Sequence, residues 1–465
     1  MKTLNFPPDF FWGTATSSYQ IEGGAKDDGR SPSIWDVFAE TEGRVRNGDT
    51  GAVACDSYHR IDEDVALLKQ LGVNMYRFSI SWSRVIPEGR GAVNAAGLDY
   101  YVRLVKALRA ANIEPMITLY HWDLPQCLMA QGGWESRQTS LDFVAFAKVM
   151  FEALKGDVKY WLTINEPWCA SLLSYLLGIH APGRQDMQAA LSVGHHLLLG
   201  HGLAVQAFRD MGMSGQIGIA PNVGWREPYS EHPADIDAAR RSREWVDGWF
   251  MDPLYLGSYP ADMAARFNAW GAAAPIQPGD MEIIAAPTDY LGINYYFGGY
   301  AKARDSAAVL GVPGTGPEMV NALIDADEID VPGFSRTDFD WAIYPEGFDK
   351  ILRYIRDRYN NPPLFVTENG ACDNTDISAD GRIDDDMRVK YYRHHLIAMH
   401  RAIRSGCNVK GYMAWSLLDN FEWAEGYSKR FGLVHVDFDT LVRTPKESFN
   451  FYRQVIANNQ IALPE

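Results

Sequence analysis

Two separate stretches of the chain end an apolar run with a glutamate. In Pro363–Gly370 (Pro-Leu-Phe-Val-Thr-Glu-Asn-Gly), apolar and β-branched residues lead into Glu368. In Tyr160–Pro167 (Tyr-Trp-Leu-Thr-Ile-Asn-Glu-Pro), a similar run leads into Asn165 and Glu166. Each run predicts a buried strand whose last side chains emerge into a site. A carboxylate at such a position costs free energy unless another group pairs with it or a reaction uses it.

The two glutamates could share one site only in a fold that gathers strand ends, because Glu166 and Glu368 are 202 residues apart. The chemistry that needs two carboxylates in an aromatic cleft is glycoside hydrolysis. One carboxyl must be protonated to donate to the leaving oxygen, and the other must be ionised to attack or to activate water. The chain contains 14 Trp, 23 Tyr and 21 Phe. Such rings suit a sugar site, but composition alone does not distinguish that site from ordinary core filling.

Eight segments with strand-like patterns follow one another, each separated from the next by a connection long enough for a helix. Pro167 cannot continue the ladder of the fourth strand, and Gly370 is expected to let the chain turn after the seventh. The predicted strands are Phe10–Ser18, Asn74–Ile80, Glu114–Tyr120, Tyr160–Pro167, Gly215–Pro221, Asp289–Tyr296, Pro363–Gly370 and Val409–Ser416.

This alternation predicts an α/β fold with a parallel sheet, and eight strands are the number that closes into a (β/α)₈ TIM barrel. We expect one domain over residues 1–465, with long loops at the C-terminal face of the barrel. The alternative is an open doubly wound sheet. It is less favoured because no G-x-G-x-x-G turn follows the first strand. Polar residues also end nearly every strand, and in a barrel those ends surround a single site.

The connections carry helical periodicity. The predicted helices are Asp62–Leu71, Leu98–Ala111, Leu141–Leu154, Met187–Met211, Phe348–Tyr359 and Asp385–Ser405. The segment Asp305–Asp340 is different, because it is rich in Gly, Pro, Asp and Glu and its periodicity is weak. It follows the sixth strand, so we expect a long rim loop that either walls the site or is a tolerated surface insertion.

Charge and composition exclude several classes of function. The net charge of −16 and the pI of about 5.2 argue against nucleic acid and against anionic membranes as partners. The N-terminus has no apolar signal region and no uncharged run is long enough to span a bilayer, so a cytoplasmic location is expected by default. The five cysteines are scattered and odd in number, which favours reduced thiols over disulfides or a metal site.

No metal or other cofactor is expected from the histidines. His195, His196 and His201 lie in a helical stretch without a matching acid. His394 and His395 are adjacent, a spacing that points their side chains to different sides. We interpret all five as structural or surface histidines.

Several motifs, in order along almost the whole chain, resemble glycoside hydrolase family 1, the β-glucosidase family. The resemblance extends from Phe10-Phe11-Trp12-Gly13 to Arg443-Thr444-Pro445-Lys446. Its most specific motifs are Thr163-Ile164-Asn165-Glu166-Pro167 and Val366-Thr367-Glu368-Asn369-Gly370. The others are Tyr76-Arg77-Phe78-Ser79, Tyr120-His121-Trp122-Asp123-Leu124-Pro125, Ile293-Asn294-Tyr295-Tyr296, Trp341-Ala342-Ile343-Tyr344-Pro345 and Trp415-Ser416-Leu417-Leu418-Asp419-Asn420-Phe421-Glu422-Trp423.

The resemblance implies a (β/α)₈ barrel and a retaining double displacement. It implies that Glu368 is the nucleophile and that Glu166 is the general acid/base. Arg77 and Tyr296 match positions beside the nucleophile, where they would hold Glu368 ionised. Asn294 matches a position near the nucleophile and the sugar 2-hydroxyl.

The resemblance also implies a sugar site. Trp415 matches the platform beneath the sugar ring, and Trp341 and Trp168 would lie farther out, toward the aglycone. For Trp122, a position in the sugar site and a position in the core are about equally expected. Tyr295 alternates with Tyr296 and should face the opposite way. The positions that match hydroxyl-binding residues are Gln20, His121, Asn165, Glu422 and Trp423.

Two branches of the family have other signatures. The 6-phospho-glycosidases hold phosphate with a serine, a lysine and a tyrosine. Here Trp423 stands in place of the serine and Phe431 in place of the tyrosine, and only Lys429 remains. Because the indole of Trp423 would crowd a phosphate, we expect unphosphorylated sugars. The plant thioglucosidases replace the acid with glutamine, and Glu166 excludes that mechanism.

We therefore expect a retaining β-glucosidase whose partner is a small-molecule β-glycoside, with tolerance for β-galactosides or β-fucosides. Transglycosylation is allowed because a sugar can replace water in the second step. The alternatives are a 6-phospho-β-glycosidase and a catalytically silent sugar-binding barrel. The silent barrel is disfavoured because both carboxylates are present. The sequence does not specify an oligomeric state.

Overall fold

A computed structural model describes residues 2–304, 316–329 and 333–464. Eight strands, here β1 to β8, lie at the eight predicted places, each within its predicted bounds. They are β1 Phe11–Ala15, β2 Met75–Ser79, β3 Glu114–Tyr120, β4 Tyr160–Asn165, β5 Gln216–Ala220, β6 Leu291–Asn294, β7 Leu364–Asn369 and β8 Val409–Trp415.

The eight strands form one parallel sheet in which chain neighbours are sheet neighbours. The order runs from β5 back to β1 and then through β8 and β7 to β6. Hydrogen bonds across the remaining gap close the sheet: Asp289 N donates to Ile217 O over 2.9 Å, and Asn294 N donates to Pro221 O over 3.0 Å. The predicted (β/α)₈ barrel is therefore confirmed.

The first and last strands meet at one seam. β1 pairs with β8 from Phe11 opposite Gly411 to Ala15 opposite Trp415. The seam is reinforced outside the barrel, where Thr3–Asn5 pairs antiparallel with Gln460–Ala462. Residues near the two ends of the chain are thereby held against one another.

All six predicted helices are present, and some of them begin about one turn before the residue at which their apolar pattern starts. In Arg137–Ala153 the added first turn is polar, and the Ser136 hydroxyl accepts from Gln138 N. Two π-helical segments lie at Cys169–Leu176 and Glu244–Gly248. The α-helices of the described residues are Ser18–Ile21, Ile34–Glu40, Ile61–Leu71, Trp82–Val85, Ala95–Ala110, Gln126–Met129, Arg137–Ala153, Met187–Asp210, Pro233–Arg243, Trp249–Leu256, Ala261–Ala269, Asp280–Ile284, Pro317–Ile324, Pro345–Arg358, Asp386–Arg404 and Glu447–Asn458.

The expectation of a plain rim loop over Asp305–Asp340 is wrong for part of that segment. It contains the helix Pro317–Ile324 and the strand Ala326–Ile329, while residues 305–315 and 330–332 lie outside the described residues. The strand joins a small sheet with Gly299–Ala303 and Arg226–Pro228. A second unpredicted pair joins Val434–Val436 to Arg443–Pro445. These strands have three to five residues each, too few for an alternating pattern to stand out.

The strand side chains pack in two places, inside the barrel and between the barrel and its helices. Inside, the core contains Met75, Met116, Leu162 and Phe365. Outside, residues of the alternate parity pack against the helices, as where Trp161 meets Phe151 edge-on at 5.0 Å between ring centroids. The alternation fixes which strand residues can reach the open end of the barrel.

The predicted reason for Gly370 is wrong. Its φ is not positive, so the turn does not require glycine. A Cβ on Gly370 would lie 1.8 Å from the backbone oxygen of Trp415. Glycine is therefore required at position 370 because the backbone directly after β7 lies very close to the end of β8.

Among the described residues, no helix has the length and apolar character needed to cross a bilayer.

Candidate active site

Glu368, at the end of β7, is held by a cation and a phenol. Arg77 Nη1 donates to Glu368 Oε1 over 2.6 Å, and Tyr296 OH donates to Oε2 over 2.5 Å. Only 3 % of Glu368 is exposed. Burial raises the pKa of Glu368, while Arg77 and Tyr296 oppose that rise because they stabilise the anion.

Arg77 is fixed from several strands at once. Its Nη2 donates to Asn165 Oδ1 over 2.7 Å, and its Nε donates to Thr118 Oγ1 over 3.0 Å. Nη1 also reaches the Thr367 carbonyl at 3.1 Å. The guanidinium is fully buried and has little freedom to leave Glu368.

Glu166 follows β4 and has a different environment. Its φ of 44° lies in the left-handed region, which is uncommon for a residue with a side chain. Asn294 Nδ2 donates to Oε1 over 2.7 Å, and the Cys169 thiol donates to Oε2 over 3.0 Å. Burial, and then the charge of Glu368, raise the pKa of Glu166 to about 7.

Asn294 lies between the two carboxyl groups in a fixed orientation. Thr367 Oγ1 donates to Asn294 Oδ1 over 2.7 Å, so the amide nitrogen faces Glu166 and Asn165. The donors to Glu166, Asn294 and Cys169, are neutral. Of the two carboxyl groups, it is Glu368 that forms an ion pair with the buried cation Arg77. The arrangement therefore favours an ionised Glu368 beside a protonated Glu166.

His121 presents an unpaired donor. Asn165 Nδ2 lies 3.1 Å from His121 Nε2, so Nε2 accepts and Nδ1 carries the hydrogen. His121 Nδ1 is buried and has no hydrogen-bond partner among the described residues. Burial, and then the nearby Arg77, lower the pKa of His121 well below its usual value, so the imidazole is neutral.

Glu422 and Gln20 are connected through the loop that follows β8. Glu422 Oε2 is buried, and no residue in the described part of the chain forms a hydrogen bond with it. Burial and the charges of Glu368 and Glu166 raise the pKa of Glu422 to about 8. Gln20 is tied to the loop that carries Glu422, because its Nε2 donates to the Phe421 carbonyl over 2.9 Å. Gln20 Oε1 accepts from Ser17 over 2.6 Å and keeps one lone pair for a ligand.

The predicted aromatic residues divide into an inner and an outer group. In the inner group, Trp415 and Trp423 lie nearly parallel to the His121 ring, at 6.0 and 5.8 Å between centroids. Trp122 packs 4.5 Å from Trp423, and its indole nitrogen donates to the Asn165 carbonyl over 2.9 Å. Trp122 thus supports the pocket from behind.

In the outer group, Tyr296 contacts Trp341 and Phe431 at 5.5 and 6.0 Å between centroids. Tyr295 faces the opposite way, as predicted, and stacks on Phe348. Trp168 lines a cavity of about 430 Å³, to which Trp341 does not contribute. Other residues that line this cavity include Asn222, Asn294, Tyr296, Phe297, Val320 and Asn321.

The structure adds residues that the sequence analysis missed. Thr118 and Thr367 orient Arg77 and Asn294, and Cys169 contacts Glu166. The two threonines lie on the predicted strands β3 and β7. Cys169 follows Glu166 by three residues, the spacing at which helical side chains share a face. This spacing could have indicated the contact, but only if a helix had been predicted directly after Glu166.

The prediction that His195 has no matching acid is wrong. Its Nε2 lies 3.0 Å from Asp280 Oδ2. Asp280 comes from the helix Asp280–Ile284, which lies far along the sequence. In the described ranges, no group of three or more His, Cys, Asp or Glu residues is placed to hold a metal ion.

Comparisons with known proteins agree with this geometry. The model of the family "Glycosyl hydrolase family 1" matches residues 2–461. Beta-glucosidase A of Acetivibrio thermocellus is 44 % identical over 99 % of this chain and 100 % of that protein. Beta-glucosidase A of Thermotoga maritima is 43 % identical over 99 % of each chain.

Solved structures give the same result. The family 1 β-glucosidase from Thermotoga maritima superposes with a TM-score of 0.93 at 41 % identity, covering 100 % of both chains. The Thermotoga maritima enzyme in complex with deoxynojirimycin gives a TM-score of 0.91 at 41 % identity, covering 98 % of this chain and 99 % of that one. Since both sequence and fold match along the whole chain, this protein belongs to glycosyl hydrolase family 1.

Proposed function

We propose that the protein is a retaining β-glycosidase that acts as a β-glucosidase on terminal non-reducing β-D-glucosyl residues of oligosaccharides and of aryl or alkyl glucosides. The observation that carries the proposal is the pair of buried strand-end carboxyls, of which only Glu368 is bound to Arg77. Relatives named β-glucosidase, 43 and 44 % identical over nearly the full chain, support the same activity.

In the first step, a carboxylate oxygen of Glu368 attacks the anomeric carbon. The bond from that carbon to the aglycone oxygen breaks, and Glu166 transfers its proton to the departing oxygen. The products of this step are the free aglycone alcohol or phenol and an α-linked glucosyl ester on Glu368. The raised pKa of Glu166, about 7, keeps the required proton available near neutral pH.

In the second step, water replaces the enzyme at the anomeric carbon. Esterification removes the negative charge of Glu368, which is one cause of the raised pKa of Glu166. The pKa of Glu166 should then fall, so that its carboxylate accepts a proton from the attacking water. Two inversions at the anomeric carbon retain the β configuration. A sugar hydroxyl in place of water would give transglycosylation.

The sugar would lie between the inner aromatic group and the free polar atoms of the pocket. We assign hydroxyl binding to Gln20, His121, Asn165, Glu422 and Trp423, and the stacking surface to Trp415. The unpaired His121 Nδ1–H and the unpaired Glu422 oxygen support this assignment, because buried polar groups normally have partners. Both would find them in sugar hydroxyls.

The aglycone would leave toward the cavity lined by Trp168. Its mostly apolar lining, with Val320 and Phe297 beside Asn321, suits an aryl or alkyl group with a polar substituent. The helix Pro317–Ile324 contributes Val320 and Asn321, so part of the Asp305–Asp340 segment serves as a wall of this cavity. Trp341 would contact the aglycone from another side.

The proposal treats residues 1–465 as one barrel domain, which is supported by a family model that matches residues 2–461. It places the protein in the cytoplasm, in keeping with five cysteines that all carry free thiols. The proposed partner is a small β-glycoside.

Initial rates on four substrates test the function. We expect rapid release of nitrophenol from the β-glucoside, slower release from the β-galactoside and β-fucoside, and little from β-glucoside 6-phosphate. NMR should detect the β-anomer of glucose first. Initial α-glucose would contradict a retaining mechanism. Activity on none of the four would favour a sugar-binding barrel without catalysis.

Replacement of Trp423 tests the preference for unphosphorylated sugar. Trp423 is packed between Trp35 and Trp122, and Lys429 is turned outward, where its Nζ donates to the Asp338 carbonyl over 2.5 Å. We expect Trp423→Ser to raise the ratio of kcat/KM for the 6-phosphate to that for the glucoside by about tenfold. Trp168→Ser serves as the control, because it should leave the ratio unchanged. An unchanged ratio in Trp423→Ser would contradict the steric argument.

A further inference from the structure

We propose that Cys169 is a positioning residue that sets the pKa of the acid/base Glu166 through a thiol hydrogen bond. This inference rests on the proposed function, because it concerns the group that donates and accepts the proton in that reaction. Its basis is geometric: Cys169 Sγ lies 3.0 Å from Glu166 Oε2, a short contact for a sulfur donor.

The contact is built into the backbone. Glu166 leaves β4 with a positive φ, and the chain enters a helical turn in which Ala170 N donates to the Glu166 carbonyl over 3.1 Å. Cys169 then begins the π-helical segment, and its own carbonyl accepts from Ser174 Oγ over 3.1 Å. The three-residue spacing directs the thiol back onto the carboxyl group.

Within the described ranges, each oxygen of Glu166 has one donor, and the two donors differ in strength. Asn294 Nδ2 donates to Oε1, so the transferable proton of Glu166 is on Oε2, the oxygen beside the thiol. A thiol is a weaker hydrogen-bond donor than an amide or a hydroxyl. It can stabilise the carboxylate without holding the group permanently ionised.

The thiol keeps its own proton while Glu166 titrates. Cys169 is 8 % exposed, and burial together with Glu166 raises the pKa of its thiol well above the usual value. Its S–H therefore remains a donor over the whole range in which Glu166 gains and loses a proton. A hydrogen bond to the charged form lowers the pKa of an acid, so Cys169 opposes the rise caused by burial and by Glu368. The other charged or titratable groups that face Glu166 are Glu368, Arg77, Tyr296 and Glu422.

Two substitutions separate the donor from the space that it fills. Cys169→Ala removes the thiol, and Cys169→Val removes the donor while filling the volume of the sulfur and excluding water. We expect both to raise the pKa of Glu166, and thus to move the alkaline limb of the kcat/KM profile upward by about 0.5 pH unit. The acidic limb, which reports Glu368, should not move. The control is Cys407→Ala, since Cys407 is also buried but lies before β8, at the opposite end of the barrel from the carboxyl groups.

Phenyl β-glucoside is the appropriate substrate, because its poor leaving group requires the acid. A carbon-13 NMR titration of glutamate carboxyls, assigned with Glu166→Gln, gives the same pKa without turnover. An alkaline limb and a carboxyl titration that stay within 0.1 pH unit of wild type in both variants, or that move downward, would overturn the role of Cys169. Failure of wild type to hydrolyse the glucoside would instead count against the proposed function, and the NMR titration would still decide the role of the thiol.

Discussion

Glu368→Ala is expected to lower kcat on every β-glucoside by roughly 10⁵-fold or more, because it removes the nucleophile and with it the covalent route. Arg77 and Tyr296 would remain as a cation and a donor around an empty space. The barrel should still fold but melt at a lower temperature, because Arg77 becomes a buried cation without its carboxylate partner. Rates on nitrophenyl β-glucoside and a thermal melting curve measure the two effects.

The empty space gives this prediction a second, more specific outcome. Added azide or formate should restore part of the activity, because a small anion can bind beside Arg77 and attack the anomeric carbon directly. With azide, a single inversion should give the α-glucosyl azide, which NMR identifies. Glu368→Gln is the matched control: it is also inactive but leaves no room for the anion. Rescue of both variants, or a β-product, would contradict the nucleophile assignment.

Removal of Glu166 should have a large effect that depends on the leaving group. Glu166→Ala is expected to slow methyl β-glucoside hydrolysis by about 10³-fold, within the usual contribution of a general acid. The first step on dinitrophenyl β-glucoside should be spared, because this leaving group departs without a proton. Pre-steady-state kinetics would then show a rapid burst followed by slow turnover, since the second step lacks its base.

The pH profile of the same variant provides an independent check. Glu166 acts in its protonated form in the first step, and its pKa is about 7. On the alkaline side of the profile, wild-type kcat/KM on methyl β-glucoside should therefore fall as the pH rises through about 7. Glu166→Ala should lose this alkaline limb. Equal losses on the methyl and dinitrophenyl glucosides, or an unchanged limb, would show that another group is the acid.

Most of the architecture could be predicted, because the barrel strands have a clear pattern in the sequence. Segments such as Glu114–Tyr120 and Leu364–Asn369 are buried on both faces, so they appear as continuous apolar runs that end in polar residues. The small sheet of Arg226–Pro228, Gly299–Ala303 and Ala326–Ile329 could not be predicted in this way. Its strands are half exposed and short, and their pairing depends on contacts between distant segments.

The identity of the site residues was easier to predict than their contacts. Glu166 and Glu368 stood out as carboxylates after apolar runs. The choice of which is ionised depends on Arg77 being held between β3 and β7 by Thr118 and Thr367, and no pattern along the chain specifies that geometry. Similarly, no pattern along the chain predicts the hydrogen bond from Trp122 to the Asn165 carbonyl.

The seam between β1 and β8 has a consequence for how the protein is made. A ribosome releases Phe11–Ala15 long before Val409–Trp415, so one edge of the first strand stays unpaired while the residues between them are synthesised. Such an edge is a template for association with other nascent chains. Trp415 and Trp423 leave the ribosome at the same late stage. The barrel can therefore close, cover its exposed edge and complete the sugar pocket only after these late residues have been released.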